Sequence, residues 1–474
     1  MAVLPPVSVD TLLADRAPAL PAVLQLPSGD VVLRSLLRFM PGRRAIFSGE
    51  RADGTAVIIK VFSDATRSRQ EFDAEKKRLA ILQARKVAAT RVIAEASFPG
   101  GAVLLLSHLG EQSAKDCLSQ GKEKNVGIAL ELVALTAEMH DRGLIQKDIH
   151  LNNFMRYRDD WHVIDAGAIE CQESSITGSK ALENLSLLLA QFPPLSLPAA
   201  SDVAKAYGDR FSSREISQNL ARVRRKRLRS LVKKSLRDCT EFQRVERGVL
   251  AGMCRREDLT AVEALLAEGV DASLLQGECL KDGNSATVWR AAPGAETVVI
   301  KRYNLKSLTK RLARQLRSRA RNSWMNAAFL NLVHVSTPRA LCWLSEKQGP
   351  FVGREYLVCA NVNGKMLPEL CEQGGVEREQ ALKQMADFFA TMLLMRFSHG
   401  DSKYTNFLFV EGELQVIDLD GMVRFAGQNL EEDLANQRRR LFESWRPRES
   451  LAPAAMKEFD EFYQARLKTI ESWL

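Results

Sequence analysis

At 474 residues, with 46% hydrophobic and 26% charged side chains, the chain has the make-up of a globular protein long enough for two domains, each able to bury its own core. No uninterrupted apolar run reaches bilayer-spanning length, which argues against an integral membrane protein. The formal net charge of +9 draws the chain to something anionic, such as nucleotide phosphates, nucleic acid or a negatively charged membrane face, without choosing among them.

The N-terminus, MAVLPPVSVDTLLADRAPALPAVLQL, interrupts its apolar residues with prolines, carries Asp10 early and lacks a basic cluster. It reads as a 1–27 extension rather than an export signal. A first domain is expected over 28–215. Alternating, β-branched segments open it, and TAVIIKVF reads as a strand bearing Lys60. EFDAEKKRLAIL follows at helical spacing, with Phe72, Glu75, Leu79 and Leu82 on one face. Glu75 then points inward, toward Lys60, with Glu71 as the alternative. The apolar helix VGIALELVALTAEMHDRG delivers a polar segment, GLIQKDIHLNNFMRYRDDWHVIDAGAIE, which holds Asp148, Asn153 and Asp165.

A basic helical connector is expected over 216–270. Within it, ARVRRKRLRSLVKKSLRD carries Leu228, Leu231, Val232 and Leu236 as an apolar stripe among cations. That pattern suits a helix lying at a membrane interface, or equally a core-packed helix with a solvated basic face. The second domain, 271–474, opens with KDGNSATVWRA and the strand TVVIKRY bearing Lys301. A second basic stretch covers 306–324, and no acidic residue stands between Lys301 and Glu346. REQALKQMADFFATMLLMRFSHG is a core helix by its spacing, and it delivers Asp401, Asn406 and Asp418 in FSHGDSKYTNFLFVEGELQVIDLDG.

In both halves the Asn follows the first Asp by five positions and the second Asp follows it by seventeen. A single Asp-x₄-Asn is an ordinary turn or cap pattern, but its repetition with a strand-end Asp at fixed distance marks a duplicated domain. The residue types suit phosphoryl transfer: a carboxylate to take a hydroxyl proton, an Asn and an Asp as oxygen ligands for Mg²⁺, and a lysine for phosphate oxygens. The eight cysteines lack any CxxC pair, as expected of reduced thiols, so neither a zinc site nor a disulfide framework is indicated. Nucleic acid is disfavoured as a partner because the basic stretches lack interleaved aromatics. His150 and His399, beside the two loops, read as structural.

The series of Lys, Asp-x₄-Asn and Asp, together with SHGDSKYTNFLF, VIDLDG and VSTPRAL, resembles the bacterial lipopolysaccharide core kinases that phosphorylate heptose or Kdo. The resemblance spans most of the chain, twice. It implies an α+β fold of tandem protein-kinase-like bilobal domains, each with a small β-rich lobe and a helical lobe. It further implies ATP and Mg²⁺, with Asp148 and Asp401 as catalytic bases, Asn153, Asp165, Asn406 and Asp418 as metal ligands, and Lys60, Glu75 and Lys301 at the nucleotide. The implied setting is cytoplasmic, peripheral on the inner face of the inner membrane. Implied partners are a lipopolysaccharide core glycolipid, the anionic inner leaflet and other core-biosynthesis enzymes. Lys147 and Gly400 stand where protein kinases have Arg before the catalytic Asp, and neither Asp-Phe-Gly nor Ala-Pro-Glu is present, so regulated protein phosphorylation is disfavoured. A pseudokinase scaffold and a small-molecule kinase are the competing readings.

Overall fold

In the computed structural model, which describes residues 4–14, 18–118, 121–293, 296–304, 318–348, 351–445 and 448–474, helices and antiparallel sheets combine as an α+β fold. The chain divides into two units, Met1–Phe192 with Ser196–Leu220, and Pro193–Leu195 with Ala221–Leu474.

In the first unit, β1 (Ala22–Leu24), β2 (Val31–Met40), β3 (Arg44–Arg51), β4 (Ala56–Ser63), β5 (Val92–Phe98) and β6 (Gly101–Ser107) form a sheet ordered β1-β2-β3-β4-β6-β5. Alternation along β4 sends Val57, Ile59 and Val61 into a core with Phe47, Val103 and Leu105, and the Val9–Leu13 helix joins that core through Val9, Leu12 and Leu13. Its other face carries Lys60 and Phe62 toward the Thr66–Ala84 helix, where Phe62 meets Phe72 edge-on at 5.6 Å. The 1–27 segment is therefore more than an extension. It contributes a helix and an edge strand, because the sheet face turned away from the Thr66–Ala84 helix needs its own apolar cover. Two short ladders follow: β7 (Leu144–Gln146) pairs with β10 (Ile169–Cys171), and β8 (Phe154–Tyr157) with β9 (Asp160–Val163).

The helical part of this unit is pinned at His140, which is buried on the Lys122–Asp141 helix. One ring nitrogen meets the Tyr207 hydroxyl, and the other lies 3.0 Å from Asn184 Oδ1, while Asn184 Nδ2 donates to Gln146 O at 2.8 Å. Burial pushes the imidazole down to about 4, against opposing help from the Asn184 bond; Arg210 and Lys180 add to the depression and Asp141 resists it. The unfolded chain takes up this proton near pH 6.5 and the folded unit does not. The contribution is therefore whole above pH 6.5 and is lost as pH falls toward 4. We expect the first unit to lose on the order of 3 kcal/mol across that window. Urea midpoints at pH 7 and pH 4.5 measure this loss, and His140→Gln should flatten the difference.

In the second unit, β11 (Phe242–Arg247), β12 (Leu250–Arg255), β13 (Glu278–Asp282), β14 (Ala286–Ala291), β15 (Val298–Tyr303), β16 (Ala340–Gln348) and β17 (Phe351–Ala360) form a sheet ordered β11-β12-β16-β17-β15-β14-β13. Below it, β18 (Lys365–Met366), β19 (Phe407–Val410) and β20 (Glu413–Val416) make a small ladder beside the Gly375–Met395 helix. That helix buries Met385, Phe388, Phe389 and Met392, and stacks Phe389 edge-on to Phe459 of the Ala452–Ile470 helix at 5.5 Å.

The 216–270 segment departs from the expected helical connector. Its basic helix, Ser213–Lys234, is followed by the β11-β12 hairpin, which extends the second sheet through β12 against β16. Leu228 and Val232 are buried in the second unit's core with Phe242 and Trp324, and Trp324 Nε1 donates to Ser235 O at 2.8 Å. Leu228 and Val232 are thus spent on packing, with Leu236 partly buried against the same core, as expected of a core-packed helix with a solvated basic face. Its exposed residues include the cations Arg225, Lys226, Arg229, Lys233 and Lys234. The second basic stretch falls largely on residues 305–317, outside those described. Among the described residues, no helix is long and apolar enough to cross a membrane.

Candidate functional site

The two Asp-Asn-Asp segments take the same local form. In the first unit a 3-10 turn, Leu151–Asn153, enters β8, Phe154 pairs with Val163, and Asp165 follows in left-handed backbone at φ 57° and ψ 59°. In the second the turn is Tyr404–Asn406, Phe407 pairs with Val416, and Asp418 sits at φ 58° and ψ 61°. Asp is among the few side chains that tolerate this region. Asn153 Nδ2 donates to Asp148 O at 2.9 Å and Asn406 Nδ2 to Asp401 O at 2.7 Å. With Nδ2 committed to backbone, each Asn is left with Oδ1 as the atom to offer a cation.

The lysines also correspond. The order β2-β3-β4-β6-β5 of the first sheet matches β13-β14-β15-β17-β16 of the second. Lys60 on β4 lies opposite Ile46 and Leu104, and Lys301 on β15 lies opposite Val288 and Leu357. Their partners differ. Lys60 is ion-paired with Glu75, whose side chain is 2% exposed on the Thr66–Ala84 helix. Glu71 pairs instead with Arg43. Lys301 Nζ donates to Asp418 Oδ1 at 2.6 Å and to Asp420 Oδ2 at 2.9 Å. Burial alone would lower the Lys301 ammonium, but Asp420 and Asp418 more than offset this and hold it above its ordinary value.

Asp420 was not among the residues singled out from sequence. Its signal was visible, since VIDLDG has a second Asp where VIDAGA has Gly167. Besides Lys301 it accepts from Tyr303 Oη at 2.6 Å, Ser323 Oγ at 2.7 Å and Arg319 at 2.6 Å. Burial opposes its charge, yet Lys301, Tyr303 and Arg319 together keep its carboxyl below the usual range.

A cavity of about 900 Å³ in the second unit is bordered by Lys301, Asn406, Asp418 and Asp420, by Gly283 and Ser285 of the β13-β14 turn, and by the apolar Val288, Leu357 and Leu408. An apolar wall with a few convergent polar groups is the usual form of a small-molecule site. Asp401 is held at its loop by a buried amide. Gln437 Oε1 accepts from Gly400 N at 3.0 Å and Ser402 Oγ at 2.8 Å, while its Nε2 donates to Ser398 Oγ and Asp433 Oδ2, both at 2.7 Å. Arg440 approaches Asp401 Oδ1 at 3.1 Å and Lys403 approaches Oδ2 at 3.4 Å. Gly400 has φ +81°, and a Cβ there would stand 2.5 Å from Gly421 O, which explains why no Arg precedes Asp401. His399 is buried with Nε2 at 3.0 Å from Ile417 O, and burial lowers its pKa.

In the first unit Asp148 has a side chain 69% exposed, with His150 Nε2 at 3.3 Å. Lys147 pairs with Glu170 at 2.6 Å. Among the described residues no group of three or more His, Cys, Asp or Glu side chains is arranged to hold a metal. The donor sets Asn153 with Asp165 and Asn406 with Asp418 are hard oxygens in pairs, which fits Mg²⁺, an ion that keeps waters and phosphate oxygens for its other positions. No protein-family model matches the chain, and no curated protein matches it.

Proposed function

We propose that the chain transfers the γ-phosphoryl group of ATP to a hydroxyl of a lipopolysaccharide inner-core sugar, heptose or Kdo, with the second unit carrying the reaction. The observation that carries the reading is Lys301, Asn406 and Asp418 converging on one cavity, with Asp401 on a braced loop five residues before Asn406. Matching strand order and matching Asp-Asn-Asp geometry support two kinase-like halves, each with a β-rich and a helical lobe.

In this reading Lys301 contacts phosphate oxygens, and Asn406 Oδ1 with Asp418 would hold Mg²⁺, which when bound would supply charge neutralisation on the phosphates. The acceptor oxygen bonds to the γ-phosphorus as the bond to the bridging oxygen breaks, ADP departs, and Asp401 receives the hydroxyl proton. Lys60, Glu75, Asn153, Asp165 and Asp148 form the corresponding set in the first unit, in a supporting role. The test is γ-phosphoryl transfer from ATP to purified lipopolysaccharide core; absence of transfer by the parent chain counts against the acceptor and favours a scaffold. The engagement of Lys301 with Asp418 is the observation on the scaffold's side.

Gln437→Leu should reduce turnover about a hundredfold through a misplaced Asp401, while the KM for ATP stays close to the parent's. A parallel rise in the KM for ATP would show that the amide serves the fold of the cavity instead. The exposed cations of the Ser213–Lys234 helix suit a peripheral hold on an anionic inner leaflet. Vesicles with phosphatidylglycerol should capture the chain and release it when Arg225, Lys226, Arg229 and Lys233 are changed to Glu; capture unaffected by the change would remove the membrane from the reading.

A further inference from the structure

We infer that in the second unit Asp420 takes over the carboxylate role that Glu75 plays in the first, so that Lys301 is held for a nucleotide phosphate from the turn after β20 rather than from a helix. The inference rests on the nucleotide-binding reading above. Three observations carry it.

The two helices that face the lysines end alike, at Lys86 and His334, each in left-handed backbone at φ 58° and each eleven residues after Glu75 and Ser323 respectively, with Val87 N and Val335 N bonding Leu82 O and Leu330 O at 2.9 Å. Arg78, three residues after Glu75, donates to Gly167 O at 2.6 Å, in the turn after Asp165. Asn326, three residues after Ser323, donates at 2.8 Å to Leu419 O in the same turn after Asp418, one position earlier. Ser323 therefore stands where Glu75 stands, and it reaches Asp420 at 2.7 Å instead of reaching the lysine. The carboxylate has moved from the helix to the turn, into the position of Gly167.

Asp420 is also held still. Its side chain is 11% exposed, and donors from Lys301, Tyr303, Arg319 and Ser323 surround both oxygens. Asp418, by contrast, is 34% exposed and borders the cavity with Asn406. Were Asp418 taken by a metal, Lys301 would still have Asp420 to hold it. A lysine with Asp418 as its sole partner would be drawn between that carboxylate and the phosphate at each turnover.

Arg319 adds the third observation, since it bonds Asp420 at 2.6 Å and approaches Ser285 O of the β13-β14 turn at 3.5 Å. Asp420 thus links the lysine to the segment that borders the cavity from the β side. It is a positioning residue, acting on the nucleotide through Lys301.

The experiment measures ATP affinity at the second unit by calorimetry on the full chain carrying Lys60→Met with Glu75→Leu, which removes the first unit's lysine without stranding its buried partner, with Mg²⁺ and again with EDTA. Asp420→Asn should weaken ATP about tenfold to a hundredfold in both conditions, the cost usual for a partner that orients a ligand-contacting group. In a Lys301→Met background the same change should cost nothing further, because it acts through the lysine. Moving the carboxylate back, with Ser323→Glu and Asp420→Gly together, should restore most of the affinity. Equal losses from Asp420→Asn with and without Lys301 would overturn the inference and leave Asp420 a structural residue. No ATP binding at this unit in the Lys60→Met, Glu75→Leu parent would instead overturn the nucleotide reading on which the inference stands.

Discussion

Asp401→Ala is expected to lower phosphoryl transfer by about a hundredfold to ten-thousandfold, the range for removing a positioned general base, while Asp148→Ala leaves it close to the parent rate. The asymmetry follows from the surroundings of the two carboxylates. Asp401 sits on a loop fastened through Gly400 N, Ser402 and Ser398 to the buried Gln437, and its own Asn406 borders the cavity. Asp148 is largely exposed, and the residue two positions before it, Gln146, is buried with neither side-chain polar atom bonded. Because Asp401 serves the acceptor and not the nucleotide, its loss should appear in kcat with the KM for ATP preserved. Transfer rates with radiolabelled ATP and purified core check this. Equal loss in Asp148→Ala would assign turnover to both units, and indifference to both changes would end the phosphotransfer mechanism.

How much of this was legible in the sequence varied with how local the determinant is. The Asp-Asn-Asp triplets were legible because a fixed spacing encodes a fixed turn and hairpin, and Asp165 and Asp418 do share one left-handed geometry. Glu75 was legible because helical period alone assigns its face, and it is buried with Phe72, Leu79 and Leu82. The partner of Lys301 was not, because a search along the following helix cannot see a carboxylate more than a hundred residues away that tertiary folding returns to the lysine. Gln437 gave no signal for the same reason: one polar residue on the inner face of the Leu430–Glu443 helix breaks no pattern. The β11-β12 hairpin was read as helix because the basic run before it dominated the segment. Its strands take only six residues each, and their pairing depends on β16, almost ninety residues onward.

Glu75→Ala should destabilise the first unit by about 3–5 kcal/mol, more than the loss of an exposed pair. Lys60 has a side chain only 9% exposed, so the change strands an ammonium in a nearly dry site rather than releasing it to water. Replacing both partners, with Lys60→Met and Glu75→Leu, removes the stranded charge and should bring stability back to within about 1 kcal/mol of the parent, since apolar groups of similar volume often substitute for a buried pair without cost. Hydrogen exchange of the β4 and β6 amides reports the opening of this sheet and separates the two cases. If the double variant is as stable as the parent, the pair is not what holds the sheet together, and its retention points to the placement of Lys60 for an anion. ATP binding at the first unit, measured with Lys301→Met to silence the second, should then be lost in the double variant although its fold is intact. A double variant as unstable as Glu75→Ala would mean that the pair supports the packing of the Thr66–Ala84 helix, and the case for a nucleotide contact at Lys60 would fall.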